Sequence, residues 1–187
     1  TSSVGSIWTS FFSCSMRGLA MADRTLAGYA CLVHASTPVL DSPYERLYGK
    51  LLPVKLAVVI PICNEQDNLL ELHHRLTAVF DRFDHVTWQV IYVDDGSRDD
   101  SVKIILDQNK KDPRFTLLQL SRNFGPYPAL SAGLAHADAD AVITMDGDLQ
   151  DPPEIIPDLV GSWKDGAQVV LALRRSRQER GVRRLGL

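Results

Sequence analysis

The sequence predicts an α/β fold in which a mostly parallel sheet is flanked by helices. From Lys55 onward, short apolar runs rich in β-branched residues alternate with stretches whose apolar residues recur at helical spacing. This alternation is typical of βαβ units. A polar cluster also follows each predicted strand, and right-handed crossovers bring the carboxyl ends of such strands to one edge. Because ligands bind at that edge in open α/β sheets, the clusters together indicate a functional site.

Five strands are predicted, at residues 55–62, 88–95, 114–120, 140–146 and 167–173. The first, KLAVVIPI, is a continuous apolar run, which is typical of a strand buried on both faces of a sheet. The second, WQVIYVDD, is similar but ends in two aspartates. The other three are shorter apolar runs that come after helical stretches, as parallel pairing requires.

Four helices are predicted between these strands, at residues 66–83, 99–111, 128–137 and 152–166. The apolar residues of the first helix fall on one stripe: Leu69, Leu72, Leu76, Val79, Phe80 and Phe83. Asp99 or Asp100 is a suitable N-cap for the second helix. Pro128 suits the first turn of the third, where a missing N–H is tolerated. Gly166 ends the fourth helix, and Pro157 should kink it or delay its start.

Composition narrows the classes of function. The 187 residues carry a formal charge of -3, with a pI near 5.9. The protein as a whole therefore has no positive electrostatic field that would attract nucleic acid. Three widely spaced cysteines without a metal-binding pattern indicate a reduced, cytoplasmic protein. The last fourteen residues, RRSRQERGVRRLGL, hold six arginines. That tail is either a solvated helix end or a contact for phosphate groups or an anionic membrane surface.

Residues 1–54 are expected to form a poorly ordered leader and linker rather than a second domain. The apolar stretch near the start resembles a secretion signal only weakly, since Arg17 interrupts it and no basic segment precedes it. Residues 55–187 are expected to form one domain that is incomplete at its C-terminus.

Asp146 and Asp148 follow the fourth strand and are separated by one glycine. Two carboxylates that lie close together repel, so a proton or a cation is expected between them. If the segment is extended, both share a face, and Gln150 comes next on that face. Oxygen ligands of this kind suit Mg²⁺ or Mn²⁺. The alternative is an Asp-rich turn that caps the next helix.

Two further polar clusters leave alternatives open. Asp94 and Asp95 end the second strand, where a carboxylate can accept hydrogen bonds from a base or a ribose hydroxyl, although Gly96 also suits a simple capped turn. Asn64 and Glu65 follow the first strand and either cap the first helix or face a ligand.

Several other motifs are excluded. The segment from Asp146 lacks the glycine and glutamate of an EF-hand loop. The chain contains neither a P-loop nor a GxGxxG, GxSxG or HExxH pattern. His73 and His74 are adjacent on a helix and point in different directions. An aspartyl phosphohydrolase is disfavoured too, because D-x-D follows the fourth strand rather than the first.

Four motifs, taken in order, resemble the family 2 glycosyltransferases with the nucleotide-sugar-binding GT-A fold: VVIPICNE, VDDGSRDDS, RNFG and MDGDLQDPPE. Within that family, RNFG and DLQDPPE are most similar to the polyprenyl-phosphate sugar transferases, the dolichyl-phosphate mannose synthase group. The resemblance covers about residues 55–177. It implies that Pro61, Asn64 and Glu65 line the nucleotide pocket, and that Asp94 and Asp95 contact base and ribose.

The resemblance also implies a metal site and an acceptor site. Asp146 and Asp148 would hold a divalent metal, Mg²⁺ or Mn²⁺, on the diphosphate, with Gln150 as a further ligand. Arg174 would match an arginine that meets the acceptor phosphate, and Arg177 is a weaker candidate for that role.

The loop after the third strand departs from the family pattern. Arg122 would lie near the nucleotide-sugar. Beyond RNFG, where family members often carry a basic or polar residue followed by small ones, this chain has PYPA. Pro126 and Pro128 stiffen the turn, and Tyr127 is expected to change how the sugar is held.

The implied reaction is metal-dependent, inverting transfer of a sugar from a nucleoside diphosphate to a polyprenyl phosphate such as undecaprenyl or dolichyl phosphate. A phosphate monoester is largely ionised near neutral pH, so no strong general base is required. The expected location is the cytoplasmic face of the membrane, with membrane contact through the basic tail or a missing C-terminal part. Two alternatives remain: transfer to a saccharide or protein hydroxyl, and a truncated domain that binds nucleotide without turnover.

Overall fold

A computed structural model of the chain describes residues 19–22, 31–34 and 53–172. Its strands are β1 (Leu19–Ala22), β2 (Cys31–His34), β3 (Val54–Ile62), β4 (Val86–Asp94), β5 (Phe115–Gln119), β6 (Ala141–Thr144) and β7 (Val169–Ala172). Its helices are α1 (Gln66–Phe80), α2 (Ser101–Lys111), α3 (Pro126–His136) and α4 (Ile156–Lys164), with a 3-10 helix at Pro153–Ile155. Every strand and helix predicted from Lys55 onward is present, so the predicted fold class is confirmed.

The strands form one sheet in the order β1-β7-β2-β6-β3-β4-β5. Strand β3 pairs in parallel with β4 and β6, and β4 pairs in parallel with β5. Strand β2 is antiparallel to both β6 and β7, so β7 runs in the same direction as β6. The five predicted strands therefore all end at the same edge of the sheet.

Strands β1 and β2 lie in the part of the chain for which only a leader and linker were predicted. That prediction is incomplete, because β2 fills the space between β6 and β7. Leu32 of β2 is fully buried there. A four-residue strand held by backbone pairing on both sides has too few side chains to show a periodic pattern, which explains why it was missed.

Helices α3 and α4 have a proline in the first turn, as predicted, but each begins a few residues away from its predicted start. Helix α3 begins at Pro126 rather than Pro128, behind Gly125 with a φ of 97°. Residues 153–155 form a 3-10 turn, and α4 begins only at Ile156. Pro157 thus delays the α-helix, as expected, and lies in its first turn, where a proline costs little.

Helices cover both faces of the sheet. On one face, α1 and α4 bury apolar residues such as Leu72 and Leu159 against the side chains of Val58 and Ile60. On the other, α3 packs Ala129 against Val59 and its neighbours. Because β3 is covered on both sides, its residues 56–60 are all buried, which accounts for the continuous apolar run in the sequence.

Helix α3 approaches the sheet so closely that Gly133 has no room for a side chain. A Cβ atom there would lie 2.3 Å from Val59 Cγ1 and 2.8 Å from Val93 Cγ2. We expect Gly133→Ala to destabilise the protein by about 1–3 kcal/mol, since overpacking outweighs alanine's helix propensity. Gly161 of α4 is the matched control, because nothing lies within 4 Å of its added Cβ. Urea unfolding should show Gly161→Ala unchanged or more stable, and a Gly133→Ala protein of undiminished stability would contradict the prediction.

Candidate active site

Two adjoining clefts open at the edge where the parallel strands end. The larger, of about 520 Å³, is called the polar cleft and is lined by Cys63, Asn64, Gly96, Ser97, Arg98, Gln119, Leu120, Ser121, Arg122 and Asn123. The smaller, of about 240 Å³, is called the carboxylate cleft and is lined by Pro61, Ile62, Cys63, Glu65, Asp95, Asn123, Gly125, Pro126, Asp146, Gly147 and Asp148. Cys63 and Asn123 belong to both walls, so the clefts form one continuous depression.

The carboxylate cleft brings together side chains that the sequence analysis placed at this edge. Asp146 and Asp148 come from the turn after β6, Asp95 from the end of β4, and Glu65 from the start of α1. The topology explains the meeting, because β6 and β4 lie on either side of β3. The two aspartates of the D-x-D motif therefore share one cleft with Asp95.

The backbone around Asp148 differs from the extended segment that was expected. Strand β6 ends at Thr144, and the chain then turns, with Leu149 in the left-handed region at a φ of 62°. The carboxylate Oδ1 of Asp148 accepts the N–H of Gln150 at 2.9 Å, which closes this turn. The segment is therefore not extended, although Asp146 and Asp148 still line the same cleft. Gln150 is exposed and lines neither cleft, so the geometry does not favour it as a metal ligand.

Gly147 explains why a residue without a side chain separates the two aspartates. A Cβ atom at this position would lie 2.9 Å from Ile62 Cγ2, at the end of β3. A side chain at this position would force Ile62 or the turn to shift, so glycine allows the turn to lie close against β3. This contact draws Asp146 and Asp148 towards Pro61 and Cys63, on the opposite wall of the carboxylate cleft.

Hydrogen bonds between backbone and side chains join the loop after β3 to the loop after β4. Five bonds cross between them: Asn64 N–H to Ser97 Oγ, 2.9 Å; Arg98 N–H to Asn64 Oδ1, 2.8 Å; Glu65 N–H to Ser101 Oγ, 2.9 Å; Gln66 N–H to Asp99 Oδ2, 3.2 Å; and Asp100 N–H to Gln66 Oε1, 3.1 Å. Ser97, Ser101 and Gln66 were not predicted as contributors to this network. Their polar character next to a strand end was the available signal.

Of the two alternatives for Asn64 and Glu65, the geometry favours facing a cleft over capping α1 with a side chain. Glu65 occupies the N-cap position of α1 without a side-chain cap bond, and its carboxylate accepts Asn68 Nδ2 at 2.7 Å while lining the carboxylate cleft. Asn64 has a left-handed φ of 59° and lines the polar cleft. Both residues therefore support the loop and also face the clefts.

Asp94 and Asp95 are both buried, and their charges are stabilised by N–H groups. Asp94 accepts Ser97 N–H at 3.0 Å and Gln119 Nε2 at 3.3 Å, and it lines neither cleft. Its predicted contact with a base or ribose is therefore not supported by the geometry. Asp95 accepts the N–H groups of Phe124 and Gly125 at 2.7 and 2.8 Å and lines the carboxylate cleft. A buried carboxylate that accepts two such bonds is well compensated.

The remaining predicted residues divide between the clefts and the undescribed tail. Pro61 lines the carboxylate cleft, and Arg122 lines the polar cleft with its guanidinium 4.1 Å from the centre of the Phe124 ring. Arg174 and Arg177 lie outside the described residues. Cys63 was not predicted as a site residue, yet its Sγ lies 3.4 Å from Asn123 Nδ2 where the clefts meet.

The donor chemistry of the carboxylate cleft fits a divalent ion that is shared with a ligand. Within residues 53–172 and the two described short strands, no group of three or more His, Cys, Asp or Glu side chains is arranged to hold a metal by itself. Mg²⁺, however, usually takes only one or two protein carboxylates and completes its shell with water and substrate phosphates. Asp146 and Asp148 together provide that number.

Fold and site together define the class: an α/β domain of the GT-A type, with an acidic rim at the carboxyl ends of its parallel strands. Residues 57–185 match the family described as Glycosyl transferase family 2. This match covers more than half of the chain, which therefore belongs to that family. None of the helices within the described ranges is long and apolar enough to cross a bilayer.

Similar proteins point the same way. An uncharacterised glycosyltransferase of Synechocystis sp. is 45% identical over 127 residues, which is 68% of this chain and 40% of the relative. An undecaprenyl-phosphate 4-deoxy-4-formamido-L-arabinose transferase of Salmonella paratyphi A is 40% identical over 126 residues, 67% of this chain and 38% of the relative. The chain thus spans about two fifths of the length of the curated relatives it matches. A crystal structure of a mycobacterial protein, 21% identical, covers 76% of this chain and 48% of its own with a TM-score of 0.50, which supports the fold alone.

Proposed function

We propose that this chain is the donor-binding part of a metal-dependent, inverting glycosyltransferase that transfers a sugar from a nucleoside diphosphate to a polyprenyl phosphate. The observation that carries the proposal is the shared cleft of Asp146 and Asp148, which is continuous with a larger polar cleft. The relative named for undecaprenyl phosphate supports this choice of acceptor.

The two clefts suit the two parts of such a donor. Asn64, Arg98 and Arg122 give the polar cleft amide and cationic groups that can hydrogen-bond a nucleoside and its phosphate. The diphosphate would then cross the junction at Cys63 and Asn123, and the sugar would lie in the carboxylate cleft. This placement agrees with the general rule that ligands of parallel sheets bind at the strand carboxyl ends.

Asp146 and Asp148 would hold Mg²⁺ or Mn²⁺ against the diphosphate. When bound, such an ion offsets the negative charge that develops on the leaving diphosphate as the glycosidic bond breaks. The protein's own part is to fix the two carboxylates, through the Gly147 contact with Ile62 and the Asp148 bond to the Gln150 N–H.

The hydrogen bonds of the other two carboxylates in this cleft, Asp95 and Glu65, agree with a phosphate acceptor. Asp95 accepts two backbone N–H bonds, and Glu65 accepts Asn68 Nδ2, so both are engaged by the protein. A hydroxyl acceptor would need a general base, whereas a phosphate monoester is already largely ionised near neutral pH. Arg174 would bind that phosphate, since the arginine fork matches phosphate oxygens.

A lipid acceptor would bring the protein to the cytoplasmic face of the membrane. The six arginines of the last fourteen residues would favour contact with anionic headgroups there, since each basic residue near such a surface contributes about 1 kcal/mol.

Calorimetric titration with a panel of UDP- and GDP-sugars, with and without Mn²⁺, tests donor binding. Incubating the bound donor in radiolabelled form with undecaprenyl phosphate then tests transfer. We expect Mn²⁺-dependent binding and label in the lipid extract. Label found only in a saccharide or protein fraction would contradict the acceptor, and binding without any product would identify a domain that binds nucleotide without turnover.

A further inference from the structure

An ion pair ties the turn of Asp146 and Asp148 to helix α1. Glu154 lies on the 3-10 helix that follows this turn, and Arg75 lies on α1. Arg75 Nε donates to Glu154 Oε1 at 2.9 Å, and Nη2 donates to Oε2. The contact is therefore bidentate, the geometry in which arginine fixes both the distance and the orientation of a carboxylate.

The pair is better formed than an ordinary surface contact. The side chains of Arg75 and Glu154 are 26% and 50% exposed. Their hydrogen bond is the main cause that raises the pKa of Arg75 and lowers the pKa of Glu154, so both groups stay charged across neutral pH. An isolated exposed pair contributes little to stability. The ion pair is therefore more relevant to the position of the turn than to the stability of the fold.

The turn that carries Asp146 and Asp148 leads directly to Glu154. Its backbone is irregular, with Leu149 in the left-handed region; within it Asp148 Oδ1 accepts the N–H of Gln150, and Asp146 N–H donates to Asp151 Oδ2 at 3.4 Å. Glu154 follows Asp148 by six residues, with two prolines between them.

Prolines 152 and 153 restrict the backbone, so a shift of Glu154 would be passed on to the turn rather than absorbed. At the other end of the contact, α1 begins at Gln66, directly after Glu65 of the carboxylate cleft. The ion pair thus connects the two walls of this cleft: the turn of Asp146 and Asp148 on one side, and α1 with Glu65 before it on the other.

We propose that Arg75 and Glu154 are positioning residues for the carboxylate cleft: their ion pair holds the turn of Asp146 and Asp148 in the arrangement that binds a divalent ion. This inference rests on the proposed function, because it assumes that the turn holds such an ion.

The test is a Mn²⁺ titration of the full chain, with free Mn²⁺ followed by electron paramagnetic resonance, in the presence of UDP and separately of GDP. Glu154→Gln and Arg75→Gln should each weaken Mn²⁺ binding by roughly tenfold, the low end of what losing an outer-shell partner costs. Arg75→Lys keeps the charge without the fork and should show an intermediate loss. The charge-swapped double variant R75E/E154R should recover most of the lost affinity.

The ion pair of Asp107 and Lys110 on α2 provides the matched control. It is also exposed, with a 2.7 Å contact, and neither residue lines a cleft. Asp107→Asn should leave the Mn²⁺ affinity unchanged, and thermal midpoints of all variants should stay close to that of the parent protein. Equal Mn²⁺ affinity in Glu154→Gln and the parent, or no recovery in the double variant, would overturn the positioning role. If the parent protein shows no metal-dependent nucleotide binding, the proposed function fails, and the positioning role fails with it.

Discussion

Replacing Asp148 by alanine is expected to abolish the metal-dependent part of nucleotide-sugar binding and to lower transfer by at least about 100-fold. The reason is electrostatic: removing one preorganised partner of a charge that develops in the transition state typically costs two to three orders of magnitude in rate. Asp146→Ala should behave in the same way, because both carboxylates line the same cleft. Calorimetry with and without Mn²⁺, followed by a transfer assay, measures both effects.

Two controls separate this effect from a general loss of negative charge. Gln150 is exposed and lines neither cleft, so Gln150→Ala should change Mn²⁺-dependent binding little. Asp138 has a side chain that is 92% exposed and precedes β6, at the opposite end of that strand. Asp138→Ala should therefore bind donor and metal like the parent protein. Unchanged metal dependence in Asp148→Ala would show that the cation is not held at D-x-D.

Replacing Gly96 by alanine is expected to damage the polar cleft and the stability of the fold at once. Gly96 has a φ of +78°, and an added Cβ would lie 2.7 Å from Asn123 N and 3.0 Å from Arg122 C. The left-handed conformation costs a non-glycine residue about 1–2 kcal/mol, and backbone atoms cannot move aside as a flexible side chain can. The loops that carry Gly96 and Asn123 must then separate, and both line the polar cleft.

Gly166→Ala is the control variant that separates the effect of this close approach from the effect of the left-handed φ. Its φ of +106° is also left-handed, but nothing lies within 4 Å of the position of an added Cβ. Urea unfolding should show a larger loss of stability for Gly96→Ala than for Gly166→Ala, by about 1–3 kcal/mol. Only Gly96→Ala should also weaken nucleotide binding, as measured by calorimetry. Equal losses in the two variants would mean that the two loops separate without cost.

The residues around Asp94 and Asp95 show how far sequence reasoning reached. Two adjacent carboxylates at a strand end were placed at the edge where the two clefts open, because chain order and parallel pairing decide that location. Their partners were not predictable. Asp95 accepts N–H groups 29 and 30 residues further along the chain, and Asp94 reaches Gln119. No local pattern records such contacts, since they depend on how β4 and β5 lie side by side.

The turn at Asp148 was not predicted, for a related reason. Strict alternation of side chains was expected because the preceding residues are a strand, but β6 has only four residues and stops at Thr144. A side-chain bond to the Gln150 N–H then competes with continued extension, as short aspartate side chains commonly do.

By itself, the sequence determined the fold class, the order of the strands and helices from Lys55 onward, and the edge at which the acidic residues gather. Those features follow from hydrophobic periodicity, turn residues and handedness, which are local or general rules. Only the tertiary structure decided the insertion of β2 between β6 and β7, the burial of Asp94, and the pairing of Arg75 with Glu154 across 79 residues. Such features depend on which surfaces meet after the chain has folded, and neighbouring residues in the sequence do not encode that meeting.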